Sequence, residues 1–182
     1  MTLMQSESKL KRGDLAPDFN LPATDGRKYS LKSFKKAKAI LVVFMCNHCP
    51  YVNSKLYELN RIAQDYKSKG LVVIGINSNE DKNYPEDSFE NMKNYVSSGK
   101  VKFLYLRDET QDVAKVYGAA CTPDPFLLDS SLKLIFHSRI DNPPGIVPAL
   151  EHELHRAIGE FLSSGIIIVK ENPSIGCSIK WK

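Results

Sequence analysis

The sequence predicts an α/β sandwich, with a mixed, mostly parallel central sheet flanked by helices, on three observations. Two short runs, Ala39 to Phe44 (AILVVF) and Leu71 to Ile76 (LVVIGI), are continuous, apolar and rich in β-branched residues, as in strands buried on both faces. Between them Val52, Leu56, Leu59, Ala63 and Tyr66 recur at helical spacing, and Gly70 follows as a stop. Further on, Phe126–Asp129 and Leu132–Ser138 flank Ser130 and Ser131 and read as a hairpin. A right-handed strand–helix–strand crossover pairs the first two runs in parallel with residues 39–44 central, and the hairpin adds an antiparallel edge.

The remaining elements follow in order. Residues 1–12 are expected to be a frayed polar arm, residues 13–165 the domain, and residues 166–182 an extended C-terminal tail. Asn77 to Asp87 is a polar loop, after which Asp87 and Glu90 form a capping-box pattern for a helix ending near Gly99. Lys102–Leu106 reads as a third strand and Thr110–Tyr117 as a short helix closed by Gly118. Leu150, Leu154, Ala157, Ile158 and Phe161 stripe a last helix, whose Glu151, His152, Glu153 and His155 read as its solvated face.

Composition narrows the function. With 42% hydrophobic and 25% charged residues in 182, the chain can bury an ordinary core, which excludes a disordered or disulfide-stapled polypeptide. No apolar run approaches the ~20 residues of a membrane span. A net charge of +4, from scattered residues, offers nucleic acid no basic stripe. The polar N-terminus lacks the apolar stretch of a secretory signal, so a cytoplasmic location is expected.

Cysteine placement points to chemistry. In VVFMCNHCPYV a buried strand ends at Phe44 and a helix opens with Pro50 in its first turn, a position proline favours. Cys49 then stands near the N-cap, where unpaired N–H groups and the helix dipole favour an anion. Cysteines so placed have pKa values lowered to roughly 3.5–7.5, which makes Cys49 a nucleophile. Cys46 completes a C-x-x-C, a motif that in a reducing compartment is redox-active or metal-binding. Zinc requires three or four ligands and only one such pair exists, so no metal or other cofactor is called for. His48 reads as a polar neighbour of the thiols.

GDLAPDFNLPATDGRKYSL, the cysteine elbow and YGAACTPDPFLLD together resemble the thioredoxin-like fold, specifically its redoxin (alkyl hydroperoxide reductase and thiol-specific antioxidant) branch, from Gly13 to Arg139. PSIGCSIKWK is similar to the tail of a bacterial subgroup. The resemblance implies a thioredoxin-like sandwich with a redoxin N-terminal extension and a C-terminal tail. It implies a cis Thr122–Pro123 loop facing the reactive cysteine, with Thr122, Pro123 and His48 along a substrate groove that Asp124 and Pro125 help shape. In register, Cys49 rather than Cys46 matches the first thioredoxin cysteine, and Cys49-Pro50 resembles the peroxidatic Cys-Pro of peroxiredoxins. Peroxiredoxins carry a proline and a threonine where this chain has Val42 and Cys46, and no matching arginine motif surrounds Arg139.

The expected activity is thiol-disulfide oxidoreduction through Cys49, with Cys46 as disulfide partner, acting on protein or small-molecule disulfides and recharged by a dithiol donor. A peroxiredoxin-type peroxidase using Cys49 is the alternative, and a non-enzymatic zinc or thiol-sensing module the second. Cys121 reads as a packed small residue or auxiliary thiol. Cys177 reads as a resolving thiol or a residue where the tail docks.

Overall fold

The computed structural model describes residues 3–7, 9–141 and 151–182. Its strands are β1 (Leu3–Gln5), β2 (Leu21–Pro22), β3 (Lys28–Tyr29), β4 (Ala39–Phe44), β5 (Leu71–Asn77) and β6 (Leu104–Arg107). They continue with β7 (Cys121–Thr122), β8 (Asp124–Asp129), β9 (Leu134–His137) and β10 (Ile175–Ser178). Among the described residues four α-helices accompany them: α1 (Pro50–Lys67), α2 (Phe89–Ser97), α3 (Asp112–Tyr117) and α4 (Glu153–Ser164). Among the described residues no helix is long and apolar enough to cross a membrane.

The main sheet has the order β6-β5-β4-β8-β9, with β4 central as expected. Every residue of β4 is buried, and the pleat sends its side chains alternately to two cores. Ala39, Leu41 and Val43 face Leu56, Leu59 and Ile62 of α1 and Leu154, Ala157 and Ile158 of α4. Ile40, Val42 and Phe44 face Leu31, Ala114, Tyr117 and Phe126. The rings of Phe44, Tyr117 and Phe126 meet edge to face at centroid separations of 5.3 to 5.7 Å. Phe126→Ala is expected to cost roughly 3–5 kcal/mol, because the truncation leaves a cavity among rings that cannot collapse together. Urea denaturation checks this, and a loss below about 1 kcal/mol would contradict it.

Several expectations need correction. The sheet is mixed in equal parts: β4–β5 and β5–β6 are parallel, β4–β8 and β8–β9 antiparallel. Asp124 and Pro125 have turn propensity, yet they open β8 and pair with Phe44 and Val43, because tertiary pairing outweighs local preference. The hairpin loop is longer than two serines. Asp129 Oδ1 accepts from Ser131 N at 2.8 Å and Lys133 N at 2.9 Å, and Leu132 adopts φ +62°, so β9 starts at Leu134. Ser88, not Asp87, caps α2, with its hydroxyl accepting from Asn91 N. α4 is closed by Gly165, while Leu150 lies outside the described residues.

The N-terminal arm is not frayed where it is described. β1 pairs antiparallel with β10, and β10 with β7, forming a second sheet of three strands. Its side chains are exposed and its pairing is entirely backbone, which a polarity reading cannot detect. Ser6 then buries its hydroxyl against Asp124, whose carboxylate also takes His137 Nε2 at 2.8 Å. Asp124 therefore ties the arm to β8 and β9. The polar residues of α4 are likewise divided among partners and do not form one solvated face. Buried Glu153 accepts two 2.6 Å bonds from Arg139, while His155 meets Tyr66 and Asp65.

Candidate active site

The elbow forms where β4 ends. Met45 N still donates to Ile76 O, extending the β4–β5 ladder by one step, and then the chain turns through Cys46, Asn47 and His48. Cys49 is the N-cap of α1, in extended backbone conformation, with Pro50 directly inside the helix. Its carbonyl accepts the first helical bond from Asn53 N at 3.0 Å. Proline lacks an N–H, so the first turn presents Val52 N–H toward the Cys49 sulfur.

Every polar atom of Asn47 is engaged, and this holds the elbow rigid. Its N–H donates to Asp87 Oδ1 at 2.6 Å and its Nδ2 to Glu86 O at 2.8 Å. Its carbonyl accepts from Asn53 Nδ2 and from the Tyr95 hydroxyl, and its Oδ1 from the Tyr105 hydroxyl at 3.0 Å. Asp87 is the hub behind it. The carboxylate is wholly buried, lies 2.5 Å from His48 Nδ1, and accepts from Asn79 Nδ2 at 2.7 Å. Sequence reasoning missed Asp87, Asn47, Tyr95 and Tyr105. One signal was available: loops 45–49 and 77–87 follow the carboxyl ends of adjacent parallel strands, the edge where α/β folds build sites.

Three thiols converge on one face of the elbow. Cys49 Sγ lies 2.7 Å from Cys177 Sγ and 3.5 Å from Thr122 O. Cys46 Sγ lies 3.4 Å from Thr122 Oγ1. The Thr122–Pro123 bond is cis. The neighbouring Cys46 thiol is the main cause that lowers the Cys49 pKa from 9.0 to about 5, against the opposing effect of burial. The Cys177 thiol and Val52 N–H act in the same direction. Burial pushes Cys46 well up, reinforced by its bond to Cys49 and by the Asp87 charge, and it pushes Cys177 up to about 12. Of these three thiols only Cys49 is shifted down, so it is the first of them to ionise.

The other expected residues stand apart. Burial raises the Cys121 thiol, which points toward Ser174 O at 4.0 Å and packs beneath the tail. His48 stacks on Tyr84 and lines a groove of ≈ 550 Å³ with Asn53, Glu86, Asn91 and Tyr95, a groove that Thr122 and Pro123 do not line. Cys46, His48 and Asp87 each place one ligand-type atom within 4.8 Å of the others. Cys46 Sγ, His48 Nδ1 and the Asp87 carboxylate serve hydrogen bonds of the elbow, while His48 Nε2 is buried without a partner.

A five-stranded mixed sheet, an N-capping cysteine and a cis-proline beside it define a thioredoxin-like thiol domain. The chain belongs to the redoxin family, whose model matches residues 11–154. It is similar to an uncharacterised conserved protein of Geobacillus kaustophilus known from its crystal structure, with a TM-score of 0.93 and 41% identity, over 100% of this chain and 97% of that one. The thiol-disulfide oxidoreductase ResA of Bacillus thuringiensis is 29% identical over 71% of this chain and 70% of its own length. A Helicobacter pylori relative carrying a peroxiredoxin name, bcp, is 29% identical over 61% of this chain and 68% of its own.

Proposed function

We propose that the protein is a thiol-disulfide oxidoreductase in which Cys49 is the nucleophile and Cys46 a partner thiol. The observation that carries this reading is a cysteine sulfur at the α1 N-cap, 2.7 Å from a second cysteine sulfur and beside the cis Thr122–Pro123 bond. The Cys49 thiolate attacks a disulfide sulfur, releases one substrate thiolate and forms a mixed disulfide. A second thiol then attacks Cys49 Sγ, releases the other substrate thiol and leaves a protein disulfide, which a dithiol donor reduces. Such a cycle belongs in a reducing compartment such as the cytoplasm. Substrates are protein or small-molecule disulfides, with no role for nucleic acid or membrane.

Peroxide reduction ranks second. It requires donors aimed at the peroxide as charge develops. Val42 is an interior residue of β4 paired with Ile74 and Phe126, and a thiol occupies position 46. The zinc-module reading ranks lower, since Cys46, His48 Nδ1 and Asp87 are engaged in the elbow's hydrogen bonds and only these three residues are grouped there among the described residues. Assays of the reduced protein with a dithiol donor test the ranking. Turnover of a peptide disulfide well above turnover of hydrogen peroxide is expected. Rapid peroxide consumption that survives Cys46→Ser would make the peroxidase reading primary.

A further inference from the structure

The C-terminal strand sits directly on the cysteine site. In the β10–β7 pairing Cys177 is the register partner of Thr122, the residue before the cis-proline. Gly176 permits the approach: a Cβ there would stand 2.1 Å from Thr122 O, a distance no side chain tolerates. Flush pairing brings Cys177 Sγ to 2.7 Å from Cys49 Sγ. Beyond Cys177 the tail is clamped again. Ile179 N donates to Ala120 O, Lys180 N to Asn79 Oδ1, and Gln111 Nε2 and Glu80 N to Lys180 O. The outcome is a nucleophile with 0% exposure, shielded in part by its own chain.

We infer that β10 occupies the place of an extended, cysteine-bearing substrate strand, and that Cys177 is the resident redox partner of Cys49, closing the site as a reversible Cys49–Cys177 disulfide. This rests on Cys49 being the nucleophile. Strand addition gives the physical basis: backbone pairing with β7 holds the strand, and register alone selects which side chain meets the reactive sulfur. A segment of a protein substrate pairing with β7 in the same way must displace β10. Cys177 is then removed and Cys46, fixed in the elbow, resolves the mixed disulfide. A small disulfide needs only local opening, and Cys177 resolves it. In that step the Cys177 sulfur attacks Cys49 Sγ and its proton goes to the departing substrate thiolate. The Cys49–substrate bond breaks as the Cys49–Cys177 bond forms. Over both steps the two cysteines lose two electrons and the substrate disulfide becomes two thiols.

Oxidised glutathione, added to the reduced full-length chain, supplies the test through disulfide mapping and bulky-maleimide labelling. A Cys49–Cys177 disulfide is expected in the unmodified protein. Gly176→Val, which forces β10 off β7, should shift the product to Cys46–Cys49 and speed labelling of Cys49 by roughly tenfold or more, as shielding by the seated strand is lost. Cys177→Ser, a change of one atom that folds if the parent does, should keep slow labelling while forming no bond to position 177. Oxidation of the unmodified chain to Cys46–Cys49 alone overturns the proposal. So does labelling of Cys49 in Cys177→Ser as fast as in the unfolded chain. Cys49 that neither labels nor oxidises in any variant removes the nucleophile assignment and this proposal together, which separates the two failures.

Discussion

Cys49→Ser is expected to abolish disulfide turnover, and in the unmodified protein the alkylation rate of Cys49 should rise through a midpoint of about pH 5, because its thiol is lowered to about 5 from 9.0. Cys46 provides the largest part of that shift through its S–H bond, so Cys46→Ala moves the midpoint up. Cys46→Ser keeps an O–H donor and restores part of the shift. The same displacement enters folding stability. A group whose folded pKa is depressed contributes fully above its unfolded value and loses the contribution as pH falls through the folded one. The stability difference between the unmodified protein and Cys49→Ala therefore grows from pH about 5 to about 9, with a slope of up to about 1.4 kcal/mol per pH unit. Cys177, shifted up instead, opposes folding as pH climbs past 9, when only the unfolded thiol ionises. Urea denaturation at stepped pH checks both signs. A difference that stays flat between pH 5 and 9 would contradict the assignment of the thiolate to Cys49.

The elbow was legible because its physics is local. A β-branched run, a proline in the first helical turn and a cysteine before it specify strand, turn and N-cap within a dozen residues, and the structure has all three. What escaped was non-local. Asp87 lies 40 residues from Asn47, and its sequence neighbourhood offered a capping role that Ser88 takes instead. Leu3–Gln5 and Ile175–Ser178 find each other from opposite ends of the chain through backbone bonds, leaving no periodicity to read. The same closure brings Cys177 to Cys49, 128 positions away. Motif spacing singles out the sulfur at the helix N-cap; which thiol it meets is decided by strand register.

Asp87→Ala should be among the most destabilising single substitutions in this chain, at roughly 3–5 kcal/mol, because it strips a buried charged acceptor from several donors at once. Asn47 N–H, the Asn79 amide and the His48 ring lose their 2.5 to 2.7 Å partner, with no solvent able to replace it. Asp87→Asn is gentler in shape and more informative in chemistry. It removes the charge that helps hold the Cys46 thiol protonated, so the Cys46 pKa falls and the negative charge is shared more evenly between the two elbow sulfurs. Mass-spectrometric partition of a limiting alkylating agent should then show Cys46 labelled at the expense of Cys49, most clearly at mildly alkaline pH. A purely structural Asp87 would lower the denaturation midpoint and leave that partition unchanged. Preserved selectivity for Cys49 in a folded Asp87→Asn protein would mean that the helix N-terminus and the neighbouring S–H groups localise the charge without the buried carboxylate.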